Sequence, residues 1–279
     1  MMQTLKFFAL LAVATVGLLT ANLTQVVGDD NTWYERKSTW NGCEQFHFKT
    51  AGRASYLVVP KQPAKGNPWI WRARFPGYHA EMDVALLGEG FHVGYVDVAD
   101  MFGSPQAVAI GDQFYEFLTT KRGLRNKVCL EGVSRGGLFV YNWAAKHPES
   151  VACIYCDTPV CDFRSWPGGK KDGLGSAAAW RKCLQAYGLS EEESLTSDKQ
   201  PIDHAKILAE SKIPILHIVS ENDRVVPPDE NTYILKERLE QHGHAMEVIS
   251  VPKGTQKSHG HHFDHPAVDR VVTFIRQHQ

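Results

Sequence analysis

Hydrophobic and polar positions along this chain alternate with two periods, and the switches between them define the elements. Gln45–Lys49 alternates residue by residue, as a half-buried strand does, and Ala54–Pro60 forms a second apolar strand run. In Pro68–Phe75 the residues Trp69, Trp71, Ala73 and Phe75 fall on one side and Arg72 and Arg74 on the other, predicting a third strand that ends in the loop Pro76-Gly-Tyr-His79. Met82, Leu86 and Leu87 share a helical face that Gly88 and Gly90 terminate. A strand at Phe91–Val98 and a helix opening at Gly103-Ser-Pro105 and running to about Thr120 follow, with proline in the first helical turn. Lys127–Val133 and Val151–Cys156 read as buried strands separated by a helix from Leu138 to Lys146. After an irregular stretch from Cys161 to His204, the alternation resumes with helix Ala205–Lys212, strand Ile213–Val219, helix Asp229–Gln241, strand Met246–Val251 and a closing helix Pro266–Gln279. Repeated strand-helix units predict an α/β fold with a mostly parallel central sheet of about eight strands, covered by helices on both faces. The irregular stretch, about 161–204, reads as a small cap insertion; within it Ala177–Tyr187 has helical spacing ended by Gly188, and Ser190 with Glu193 makes a capping box. Residues 29–44 are mostly polar and show no clear period.

The candidate chemistry lies at one junction of this pattern. Gly132-Val133-Ser134-Arg135-Gly136 stands between an apolar strand and an amphipathic helix, the context of a nucleophile elbow. A sharp turn there lifts the Ser134 hydroxyl out at the end of the sheet, and side chains two residues to either side would collide across it. A serine hydroxyl needs a base within hydrogen-bond reach, and the base needs an orienting acid. Asp223 follows the strand ending at Val219 and is the assigned acid, with Glu221 the neighbouring competitor. After the last strand, Ser258-His259-Gly260-His261-His262 offers three bases. His261 is assigned, being nearest the final helix and preceded by a glycine; His259 is second and His262 third. The order Ser, Asp, His is that of α/β-hydrolases. Of the two oxyanion donors the chemistry requires, the N–H of Arg135 is one by position. The other comes from the loop after the third strand, where Pro76 has no N–H, leaving Phe75 or Gly77, with Phe75 the first choice.

Composition narrows the classes. Lys+Arg 30 against Asp+Glu 31, with no basic run, argues against a nucleic-acid partner. No G-x-x-x-x-G-K-[ST] or G-x-G-x-x-G occurs, so no nucleotide cofactor is expected. His259, His261, His262, Asp264 and His265 form a cluster with metal-ligand chemistry, but adjacent residues rarely aim at one ion and no H-E-x-x-H occurs, so no metal is expected either. Lys6 followed by the apolar run Phe7–Leu19 reads as a signal peptide over residues 1–28, cleaved between 21 and 28, and predicts a secreted or periplasmic protein with no membrane span after cleavage. Of six cysteines, Cys129 and Cys153 read as small core residues, and Cys161 with Cys183 is the one pairing to entertain.

With these residues in place the chain, over about residues 44–279, resembles the α/β-hydrolase superfamily. It looks most like secreted bacterial serine hydrolases related to the catalytic domain of prolyl oligopeptidases and to the acetyl-esterase and dienelactone-hydrolase groups. Pro68-Trp-Ile-Trp-Arg-Ala-Arg, Gly132-Val-Ser134-Arg-Gly-Gly, Ser220-Glu-Asn-Asp223-Arg-Val-Val-Pro and Gly260-His261-His262 carry the likeness. It implies a triad of Ser134, Asp223 and His261. The chain departs from the pattern in having no N-terminal propeller and no His-Gly-Gly-Gly motif, and in a longer, His-rich base loop. The expectation is an exported serine hydrolase cleaving a carboxylic ester, plausibly a small acyl ester on a carbohydrate, with Trp166, Trp180 and Tyr187 as ring-stacking candidates. A serine peptidase of prolyl-oligopeptidase type and a non-catalytic binding protein on a hydrolase scaffold are the competing readings.

Overall fold

The computed structural model describes residues 33–279. The expected signal peptide and its cleavage site lie outside the described residues. Nine strands form one sheet in the order β1-β2-β3-β5-β4-β6-β7-β8-β9. β1 (Arg36–Trp40), β2 (Cys43–Thr50) and β3 (Arg53–Val59) are antiparallel. β4 (Trp69–Ala73), β5 (His92–Val96), β6 (Val128–Val133), β7 (Val151–Asp157), β8 (Ile215–Ser220) and β9 (Glu247–Val251) run parallel to one another. The ninth strand is β1, which lies in the polar stretch that shows no period. It is a half-exposed edge strand, so it needs little apolar signal; it turns into β2 through Asn41-Gly42, both at positive φ, the two-residue chemistry that suits a hairpin.

Helices cover both faces. α2 (Pro105–Glu116), α3 (Gly136–Lys146), α6 (Ala205–Glu210) and α7 (Thr232–Gln241) pack on one, around Trp69, Trp71, Phe114, Tyr141, Trp143 and Leu208. α1 (Glu81–Gly88) and α8 (Val268–Gln277) pack on the other, around Ile70, Met82, Leu86, Tyr155 and Phe274. Alternation within β4 sends Trp69, Trp71 and Ala73 to the first core and Ile70 to the second. Arg72 shares the face of Ile70 and is fully buried (0 % exposed). Beyond Ala73 the expected alternation fails: Arg74 and Phe75 both have positive φ (72° and 48°), so the chain leaves the sheet there and Phe75 does not join the tryptophans.

Between β7 and β8 lie α4 (Ala177–Tyr187) and α5 (Glu191–Thr196). Gly188 closes α4 in the left-handed region, and the Ser190–Glu193 capping box starts α5. Trp180, Cys183 and Tyr187 turn inward against Phe102, Leu138 and Phe163. Cys161 and Cys183 are both buried free thiols in separate clusters, so the entertained pairing is not made. Each supplies a small apolar side chain to its own core.

Candidate active site

Ser134 sits at the junction of β6 and α3 with φ 51°, the left-handed backbone of a tight elbow. Its N–H donates to the Asp157 carbonyl (2.9 Å), and its carbonyl accepts from Gly137 N (3.0 Å) and Val160 N (2.9 Å), so the turn is tied to the end of β7. A Cβ on Gly136 would stand 2.3 Å from the Ala73 carbonyl oxygen, which shows why the elbow can press against the end of β4 only with glycine there.

Three of the assigned residues are brought together. The Ser134 hydroxyl lies 2.9 Å from His261 Nε2, and His261 Nδ1 lies 2.7 Å from Asp223 Oδ2. Asp223 Oδ1 accepts from Val225 N (2.8 Å) and Val226 N (2.9 Å), so a turn of backbone amides fixes the carboxylate. With Asp223 accepting from Nδ1–H, Nε2 carries the lone pair that faces the serine. Asp223 and His261 are 4 % and 8 % exposed, which shields their bond from competing water.

The competitors are not in reach. His259 and His262 are exposed, and Glu221 turns outward to accept from the Tyr233 hydroxyl (2.7 Å). The deciding local feature is Gly260, at φ 90°, where a Cβ would stand 2.1 Å from the Asn222 carbonyl oxygen. The base loop therefore lies backbone to backbone against the loop that carries Asp223, also joined by Arg224 N donating to the His259 carbonyl (2.9 Å).

For the oxyanion donors, Arg135 begins α3 and Phe75 occupies the loop beside it, with the Arg135 guanidinium 5.6 Å from the Phe75 ring. Among the described residues neither backbone N–H donates to a protein acceptor. The Phe75 loop is fixed from below by Arg72, whose Nε and Nη2 donate to the Phe75 carbonyl (3.3 and 3.2 Å), and whose Nη2 also donates to the Tyr78 carbonyl. Arg72 Nη1 meets Asp83 and Glu131 at 2.6 Å each, wholly inside the protein. Burial pushes the Glu131 carboxyl up; Arg72 opposes this and the charge of Asp83 adds to it.

A second network escaped the sequence reading. His79 Nδ1 meets Asp157 Oδ2 (2.8 Å) and its Nε2 meets the Phe263 carbonyl (2.8 Å). Asp157 and the Phe263 carbonyl are both acceptors, an arrangement that favours the doubly protonated ring. Burial opposes that charge, but the hydrogen bond and charge of Asp157, with the Phe263 carbonyl and Glu81, raise the His79 pKa on balance. Asp157 Oδ1 accepts from the Tyr155 hydroxyl (2.6 Å), which in turn accepts from His265 Nε2 (2.9 Å). His265 Nδ1 accepts from Ala267 N (3.2 Å). His79, Asp157 and His265 are close enough to suggest a metal site, and each also has hydrogen-bond partners within the protein. The network holds the chain just after the base loop, at Phe263 and His265. His79 lies in the loop after β4, and nothing local signals a partner in β7 or near α8.

Comparison with known proteins places this geometry. Residues 114–278, more than half of the chain, match the family model described as the prolyl oligopeptidase family. The chain belongs to the prolyl oligopeptidase family. It is a serine hydrolase of the α/β-hydrolase fold, as expected from the elbow. No curated protein matches the chain. Among solved structures it is similar to a puromycin-hydrolyzing peptidase of Mycobacterium tuberculosis, with a TM-score of 0.67 at 15% identity, covering 86% of this chain and 40% of that one. An acylaminoacyl peptidase of Pyrococcus horikoshii gives 0.61 at 16% identity, covering 86% and 44%. Dipeptidyl peptidase 4 of Porphyromonas gingivalis gives 0.61 at 15% identity, covering 88% and 36%. The chain thus spans under half the length of these members of the fold.

Proposed function

We propose that this prolyl oligopeptidase family member is a serine peptidase, hydrolysing an amide bond of a short peptide through an acyl-enzyme on Ser134. The observation that carries the reading is the continuous hydrogen-bond path from Ser134 Oγ through His261 to Asp223. In this reading His261 Nε2 takes the serine proton as Oγ attacks the carbonyl carbon. The charge that develops on the carbonyl oxygen is met by the N–H groups of Arg135 and Phe75. The C–N bond then breaks as His261 returns the proton to the leaving amine, and a water, activated by the same histidine, frees the acyl group and restores Ser134.

Peptide cleavage draws support from the family and from the peptidases among its structural neighbours. The expected carbohydrate ester has less support. Trp180 and Tyr187 are buried against Phe163, leaving only Trp166 of the three stacking candidates beside the site. The test combines a fluorophosphonate label with matched peptide esters and peptide anilides. Wild-type protein should take the label and turn over both substrates, and Ser134→Ala should do neither. Turnover of esters alone would replace the peptidase reading with an esterase, and labelling of Ser134→Ala would remove the serine from its role.

A further inference from the structure

Beside the serine lies a small open cleft whose walls include Arg74, Asp100, Phe102 and Arg135. The two arginines are unusual neighbours for a half-buried site. The Arg135 guanidinium is boxed by Phe75, Phe102 and Trp166, with ring centroids at 5.6, 5.9 and 5.8 Å. The Arg74 guanidinium lies 4.6 Å from the centroid of the same Phe75 ring. The Nε atoms of both arginines are buried without a hydrogen-bond partner. Burial, and after it the charge of Arg74, lowers the pKa of Arg135, so each cation raises the cost of the other. Asp100 is the one carboxylate at hand. It answers both Arg135 Nη1 (3.0 Å) and Lys182 Nζ (2.8 Å), and among the described residues no carboxylate pairs with Arg74. Three cations therefore stand near a single carboxylate beside the nucleophile, and one guanidinium is ringed by aromatic side chains, an arrangement suited to receiving a further carboxylate.

The position of the cleft says which part of the substrate it meets. His261 must protonate the leaving group and arrives from the loop after β9, on the β7-β8-β9 side of the serine-bearing strand β6. Apart from Arg135 and the start of α3, the cleft is walled by residues at or after the ends of β4 and β5, on the other side of β6. It faces the portion that stays bonded to Ser134.

We infer that Arg74 and Arg135 bind a carboxylate carried by the acyl part of the substrate, so that the enzyme prefers acidic acyl groups. The inference rests on the serine hydrolase reading but not on the choice between amide and ester. Anilides and nitrophenyl esters of N-acetylglutamate and N-acetylglutamine form matched pairs that differ only in the side-chain charge. For whichever bond is cleaved, kcat/KM should favour glutamate over glutamine by about tenfold to a hundredfold, the scale of one charge-assisted, two-pronged contact. Arg135→Gln and Arg74→Gln should each bring the ratio toward one, Arg135→Lys should keep part of it, and added salt should lower it. Free N-acetylglutamate should also slow fluorophosphonate labelling more than N-acetylglutamine does, a measurement that needs no turnover. A wild-type ratio at or below one, or a ratio that both glutamine variants leave intact, overturns the inference. Cleavage of esters but not anilides, with the glutamate preference present, overturns the peptidase reading and leaves this one standing.

Discussion

Replacing Arg72 by methionine should separate stability from catalysis in this fold. The side chain is fully buried and answers two carboxylates and two carbonyls at once. Methionine keeps an unbranched apolar stem and removes every donor. Asp83 and Glu131 are then left facing each other inside the protein, and removing one partner of a buried ion pair costs about 3–5 kcal/mol. The raised pKa of Glu131 lets that group take up a proton and relieve the repulsion, which places the expectation at the lower end of that range. For a chain of this size each kcal/mol moves the midpoint by about 2–4 °C, so Tm should fall by roughly 6–12 °C in a calorimetric or dichroism melt. The triple variant Arg72→Met, Asp83→Leu, Glu131→Met removes the stranded charges and should recover most of the loss. It should not recover activity, because the Phe75 and Tyr78 carbonyls still lack the guanidinium that fixes the loop supplying an oxyanion donor. A kcat reduced by about tenfold or more in the triple variant, at near-native Tm, is the expected result. If Arg72→Met melts within 2 °C of wild type, or the stable triple variant turns over at the native rate, the strut reasoning is refuted.

Three other outcomes follow from the same geometry. His261→Ala should lower kcat by about a thousandfold or more while His259→Ala and His262→Ala have modest effects, measured on one activated substrate; a dead His259→Ala with an active His261→Ala would refute the assignment. His217, buried between the Tyr141 hydroxyl (2.5 Å) and Thr232 Oγ1 (3.0 Å), has its pKa pushed by burial down to about 3. Its folded pKa lies below the unfolded one, so the stability it confers is present above about pH 6.5 and drains away as pH falls toward 3; a His217→Gln variant should show a shallower acid loss in denaturant titrations, and an unchanged slope would count against it. Activity should survive prolonged chelation, because the donor atoms of His79, Asp157 and His265 are already engaged; loss restored by one divalent ion would reverse that view.

The parts of this molecule legible in its sequence are those whose physics is local. The strand-turn-helix around Ser134, the αL glycine closing α4 and the capping box of α5 each need only a few adjacent residues. The order of acid and base is legible because each sits on a loop following its own strand. What escaped depends on distant partners. The sequence separates His79 from Asp157 by 78 positions and from Phe263 by 184. Arg72 reads only as the side of β4 opposite the tryptophans, because its two carboxylates come from α1 and β6. β1 escaped because an edge strand with a polar outer face has little periodicity to show.

The backbone contact at Gly260 has a consequence for how such a site is inherited or rebuilt. A Cβ there meets the Asn222 carbonyl at 2.1 Å, a Cβ on Gly254 meets the Gly260 carbonyl at 2.0 Å, and the Asn222 side chain accepts from Gly254 N at 2.7 Å. Residues 220–226 and 254–262 are thus halves of a single casting, although β9 and α7 separate them in the chain. Grafting the histidine loop alone into another scaffold would leave its mould behind, so the transplantable unit is the pair of loops, exchanged together as one cassette.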